Sequence, residues 1–234
     1  MRAIRFIAAA LLIAAAPALA EDELTRLDPA GREVLAKFAA CLVDAKAELA
    51  RQAVLEDWDG RTQGYRDLLT ERRCARGRVF QFHASVLKSA MAGELAKREL
   101  GPIDVQLVPA APPLSYKMPE PVSKVDGQGK ALSDMKVKRQ EEAVARKLHW
   151  VIINQFGECV VRANPAAVPP LLNASVALDA EMAAIKAFGE QMPACLPKGV
   201  KLELDRSTMR NSITLAYYRL AMAARGGAMR EAAK

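Results

Sequence analysis

FGECVVRA at residues 156–163 and FAACLVDA at residues 38–45 share one pattern, F-x-x-C-(L/V)-V-x-A, and begin 118 positions apart. A second cysteine follows each at nearly the same distance: Cys74 lies 33 positions after Cys41, and Cys195 lies 36 after Cys159. The parallel continues downstream. RVFQFHAS (78–85) and VKLELDRS (200–207) both alternate apolar residues and both end in serine. Such alternation predicts a short extended piece, and Ser85 and Ser207 then stand where a helix N-cap is expected. A helix-period run follows each, Leu87, Met91 and Leu95 in the first and Met209, Ile213 and Tyr217 in the second, with Lys88 and Lys97 matching Arg210 and Arg219. The chain therefore writes one unit twice: a helix carrying the first cysteine, more helix, the second cysteine, an extended piece and a capped helix.

The opening helices carry apolar residues at three-to-four spacing, Val34, Phe38, Leu42 and Ala45 in one and Val144, Leu148, Ile152, Phe156 and Val160 in the other. That is the stripe of an amphipathic helix, and it sets each first cysteine on or beside the core face. The repeat then selects the pairing Cys41–Cys74 and Cys159–Cys195. Four free buried thiols and a metal site are the rival readings. An export signal argues against the first. The lack of a C-x-x-C pair, and histidines only at 83 and 149, argue against the second.

The first twenty residues, MRAIRFIAAALLIAAAPALA, carry Arg2 and Arg5, an apolar run from Phe6 to Ala16 and the small-x-small end Ala18-Leu19-Ala20. This is the form of a secretory signal peptide cleaved near Ala20. The run is too short and too broken by Pro17 for an anchor, which needs about 20 apolar residues. The expected address is the periplasm or the exterior, with no transmembrane segment in the mature chain. Without the leader the net charge of +7 becomes +5, mixed in sign. That falls short of the basic stripe of a nucleic-acid binder.

The expected fold is mainly α, two pseudo-repeated helical units each closed by a disulfide, with short extended segments. The expected organisation is a signal peptide at 1–20, unit 1 at 21–100, a Pro-rich linker at 101–134, unit 2 at 135–225 and a frayed tail at 226–234. The linker holds six prolines, which resist helix. Val105, Leu107 and Val108 suggest a short strand or a clip on the core. The units differ after the shared phrase. Asn164-Pro165 breaks the second copy, whereas DAKAELARQAVL in the first has no proline and predicts a helix running on to Leu55, then a turn over 56–64.

No motif for catalysis is present: no G-x-S-x-G, no H-E-x-x-H, no P-loop and no Rossmann glycine set. His83 and His149 are read as structural or surface residues. No catalytic residue, cofactor or metal is expected. Arg72, Arg73, Arg76 and Arg78 surround Cys74 and form a candidate anion-binding cluster, because guanidinium forks match oxyanions; a solvated turn is the plainer reading. Trp58 between Asp57 and Asp59, and Tyr218 beside Arg219, are candidate contact-surface residues, since such types recur at interfaces. A tryptophan folded back on the core and a buried last helix are the competing readings.

The phrases FGECVVRANPAAV, ACLPKG and LDRSTMRNSITLAYYRLA resemble uncharacterised secreted repeat proteins of alphaproteobacteria (sphingomonad type). Those proteins carry a CVV-R-x-x-P opening, a CL-x-x-G middle and an R-x-x-I-x-x-A-x-Y-R close. The resemblance covers 148–222 well and 34–98 faintly. It implies the fold and an exported address but supplies no activity. Three functional readings stand: a non-enzymatic interaction or binding module, with an envelope protein or anionic envelope component as partner; an enzyme acting on envelope polymers through carboxylates; and a purely structural stress protein. The first is favoured.

Overall fold

The computed structural model describes residues 28–75, 82–199, 202 and 204–232, with side chains to Arg225 and Gly226. The leader at 1–20, Arg76 and Arg78, and parts of both alternating segments lie outside the described residues. The fold is mainly α, and no strand occurs among the described residues. The first unit contributes α1 (Pro29–Leu55), α2 (Gln63–Leu69), α3 (Arg72–Ala75) and α4 (Ala84–Glu99). The connecting segment holds α5 (Pro102–Leu107) and a 3₁₀ turn at Val108–Ala110. The second unit contributes α6 (Asp134–Ala163), a 3₁₀ turn at Pro165–Ala167, α7 (Val168–Asn173), α8 (Asp179–Lys186), α9 (Met192–Cys195) and α10 (Arg206–Ala232).

The repeat is visible in the backbone. Asp28 caps α1 by accepting the Gly31 N–H at 2.6 Å, with Pro29 pre-set at the first helical position. The helix reaches Leu55 as expected, but it is kinked at Lys46, where φ is −147° and ψ is 48°. Lys46 is the counterpart of Asn164, whose φ is −146° and ψ is 68°. The proline in the second copy therefore marks a bend that the first copy makes without one. After the bend, residues 47–55 correspond to the 3₁₀ turn plus α7, α2 corresponds to α8, and α3 to α9. Asp57 and Ala177, in the turns before α2 and α8, both have positive φ, 55° and 68°.

Each second cysteine sits in a four-residue helix, α3 or α9. The disulfides are Cys41–Cys74 and Cys159–Cys195, each with Cα atoms 5.6 Å apart. The caps of the last helices fall two residues before the serines. His83 caps α4, its Nδ1 accepting from the Ser85 N–H, and Asp205 accepts the Thr208 N–H at 2.6 Å at the head of α10. These are the paired positions of the two alternating segments. The longer side chains reach the free N–H groups from one step outside the helix, which leaves Ser85 and Ser207 in the first turn.

In the first unit α1 packs on α4, in the second α6 packs on α10, and α4 and α10 pack on each other. The buried residues form one core that draws Phe38, Leu42, Leu87 and Met91 from one unit and Phe156, Val160, Ile213 and Tyr217 from the other. At these contacts the helices approach through small residues. Gly157 of α6 lies against α10, where a Cβ would stand 2.5 Å from the Ser212 carbonyl oxygen. Its counterpart in α1 is Ala39, fully buried. Thr214 donates to the Ser89 carbonyl at 3.2 Å where α10 crosses α4. Hence α10 is buried on every side from Arg210 to Ala221.

The expected stripes need two corrections. Val34 and Leu148 are exposed. In α1 the face turned to the core runs through Leu35, Phe38, Ala39 and Leu42 instead. In α6 no residue before Val151 is buried. The linker is also partly core. Val105 and Leu107 are helical rather than extended, and Val108 is fully buried. Pro102 stands at the first turn of α5, the one place a helix accepts it. Arg162 of the repeated phrase then holds the chain that follows, donating to the carbonyls of Ala111 at 2.7 Å and Pro112 at 2.8 Å. At the C-terminus the helix continues through Gly226 to Ala232, beyond the expected end. Arg225 fastens it, donating from Nε to Asp104 Oδ1 at 2.6 Å and from Nη2 to the Glu99 carbonyl at 2.8 Å.

A candidate binding groove between the units

The first turns of α1, the middle of α4 and the first turns of α10 leave a groove between the units, about 40 Å³ in volume. That is room for a few waters or one small ligand group. Arg32 enters it from α1, Lys97 and Glu94 from α4, and Arg210 and Asn211 from α10. The remaining wall is mixed: Leu35, Ala36, Ala90, Gly93 and Val176 with the hydroxyl residues Ser89, Ser207 and Thr214.

Glu181 of α8 organises the cations. Its side chain is fully buried. Oε1 accepts from Arg32 Nη2 at 2.6 Å and from Arg210 Nη1 at 3.2 Å, while Oε2 accepts the Ala177 N–H at 3.2 Å. Arg210 also donates to the carbonyls of Ala174 and Leu172. Burial pulls the Arg210 guanidinium below its ordinary pKa, and the Glu181 carboxylate works against that. Arg32 is 7% exposed, and among the described residues its guanidinium is tied only through Nη2. At the rim Lys97 pairs with Glu94 at 2.7 Å.

A related cluster occupies the other side of α4 and α10. Lys88, the counterpart of Arg210, donates to Asp57 at 2.5 Å, and Arg219 joins it at 3.0 Å. Burial opposes ionisation of Asp57, but Lys88 and Arg219 together outweigh it and hold the carboxyl below the usual range. Each cluster ties one carboxylate to cations of both units. The position matching Arg32 is Trp150, whose indole stacks on His83 with ring centres 5.8 Å apart, while His149 meets the same indole edge-on at 6.4 Å. Both histidines thus gather on one tryptophan.

The residues singled out from sequence fall elsewhere. Tyr218 and Arg219 are not a contact surface. Tyr218 is fully buried and donates to Glu99 at 2.7 Å, and Arg219 is 7% exposed and donates to the Val54 carbonyl at 2.8 Å. The cause is the central place of α10, which has no solvent face there. Trp58 is half-buried, lies over Gly64 and donates from Nε1 to Glu56 at 2.8 Å. The absence of a side chain at Gly64 is what admits the indole. Of the arginine cluster, Arg72 and Arg73 are exposed, and Arg73 bonds Glu71 at 3.2 Å. Arg76 and Arg78 lie outside the described residues.

No family model, curated protein or solved structure matches this chain. Among the described residues no helix is long and apolar enough to cross a membrane, and no three His, Cys, Asp or Glu side chains group as metal ligands. The groove residues Arg32 and Glu181 carry no motif. The one sequence signal for this region is the Lys88/Arg210 match, a cation repeated on the inward run of both last helices.

Proposed function

We propose that this is an exported, non-enzymatic binding protein of the cell envelope, and that the groove between its units is where it binds. The observation that carries the reading is the groove itself: cations already oriented by a buried carboxylate, next to a wall of small, apolar and hydroxyl side chains. Two disulfides fit an oxidising compartment outside the cytoplasm. The alternative of carboxylate catalysis around Trp58 draws little support from the geometry. Glu56 is bonded to the indole, Asp57 to Lys88 and Arg219, and Asp59 to the Arg61 N–H. A general acid needs a carboxyl that can hold a proton near working pH, and both Asp57 and Asp59 are held below the usual carboxylate range. The deciding experiment immobilises the oxidised protein and a reduced, alkylated control and passes an envelope extract over both. Saturable retention of a discrete component by the oxidised form alone is expected. Retention of nothing, or equal retention by both, overturns the reading. Mass spectrometry of the exported chain should find Glu21 at its N-terminus.

A further inference from the structure

We infer that the groove between α1, α4 and α10 is a carboxylate-binding site, taking the monoanionic end of a small acid or peptide against Arg32. The inference rests on the binding reading above and names its ligand chemistry.

The first ground is a charge that the described residues do not balance. Arg32 and Arg210 share a single carboxylate, Glu181, with all three side chains buried or nearly so. The rim pair Lys97–Glu94 is neutral as a whole. Among the described residues one positive charge is therefore left over beside the groove. A buried charge without a counter-ion is costly, and an anion in the groove removes that cost. The excess is one unit, which fits a carboxylate better than a doubly charged phosphate.

The second ground is the donor set. Arg32 is more than nine-tenths buried, lines the groove, and has no partner for Nε and Nη1 among the described residues. Those donors lie on separate sides of the planar group, and each can donate one charge-assisted hydrogen bond to a carboxylate oxygen. Glu181, bonded to Nη2, restrains the orientation of the guanidinium plane. Asn211 adds a side-chain amide at the wall.

The third ground is the wall. Leu35, Ala36, Ala90 and Val176 suit the methylenes next to a carboxylate, and the volume admits a head group rather than a sugar ring. The two-unit comparison supports the same conclusion. At the position of Arg32 the second unit has Trp150, already engaged by His83, so one side of the pseudo-symmetric pair is closed with an aromatic ring and the other is open with a cation.

The test is an amide chemical-shift titration of the oxidised protein with butyrate, with inorganic phosphate, and with a short peptide as free acid and as C-terminal amide. Butyrate should saturate at millimolar concentration and shift amides of residues 32–36 and 207–211. The free-acid peptide should do so if the natural source is a peptide terminus, and the amide should not. Arg32→Gln should weaken butyrate about ten- to a hundred-fold, the scale of a charge-assisted bond. Ala36→Phe, which fills the half-buried wall and leaves the Glu181 pairs alone, should abolish binding with the thermal midpoint kept. It carries the test if the Arg32 variant fails to fold. Shifts from phosphate but not from butyrate, no shifts at all, or unchanged affinity in the Ala36 variant would each overturn the assignment. If butyrate fails while the oxidised protein still captures an envelope component, the groove assignment falls and the binding reading stands.

Discussion

Lys46 and Asn164 occupy the same place in the two units and adopt nearly the same non-helical backbone, yet only the second is followed by proline. In the second unit the bend is enforced locally, because proline removes a helix donor and restricts the residue before it. In the first unit nothing in DAKAELARQAVL requires a bend. There the bent helix is held by tertiary partners, the Cys41–Cys74 bond and the packing on α4. One shape thus has two causes, and the halves should respond differently when either cause is altered.

The largest expected difference lies in the two ion clusters, one with a buried carboxylate and one whose carboxylate is open to water. Glu181→Gln leaves Arg32 and Arg210 buried without their carboxylate and should cost about 3–5 kcal/mol in urea unfolding. Asp57→Asn should cost about 1 kcal/mol, because the Asp57 side chain is 47% exposed and water screens the lost pair. Equal losses would break the comparison. Asp57 also sets a pH signature. Its folded pKa is depressed, so its contribution is complete above the unfolded value near 4 and is lost as pH falls through the folded value. Glu99, which Arg51 and Tyr218 hold below its usual range despite burial, acts in the same direction. Stability of the wild type should fall with pH below about 4, and Asp57→Asn should flatten part of that slope.

Removing either disulfide by paired Cys→Ala substitution should cost about 4 kcal/mol, nearly the same for both, since the closed loops span 33 and 36 positions. A loss confined to one unit would show that the staples are not equivalent. Gly157→Ala places a Cβ against the Ser212 backbone, where neither neighbour is a flexible side chain, and should cost about 2 kcal/mol. The reverse change at the matching site, Ala39→Gly, should cost about 1 kcal/mol through backbone entropy. Thermal melts of the two variants give the ratio. The smallest effect sharpens the comparison most. Ala47→Pro copies the second unit's proline into the first and should shift stability by less than about 1 kcal/mol, against about 3 kcal/mol for proline at an unbroken helical position such as Ala40. A large loss at Ala47 would mean that the two bends are only superficially alike.

The sequence by itself determined the repeat, the helical class and both disulfides, because each follows from spacing along one chain. Cysteines 33 and 36 positions after a shared phrase need only local register to find their partners. It also sets Lys88 at the position in the first unit that Arg210 holds in the second. It misassigned Tyr218 and Arg219, because a helix buried on every side has no stripe to distinguish inside from outside; Arg210 to Ala221 reads as mixed polarity while lying wholly in the core. It carried no sign of the groove. Arg32 and Glu181 stand 149 positions apart and meet only when α1, α8 and α10 converge. Whether an arginine is a solvated surface charge or a buried, half-satisfied donor depends on neighbours brought from other units, and that is decided by packing between helices rather than by periodicity within them.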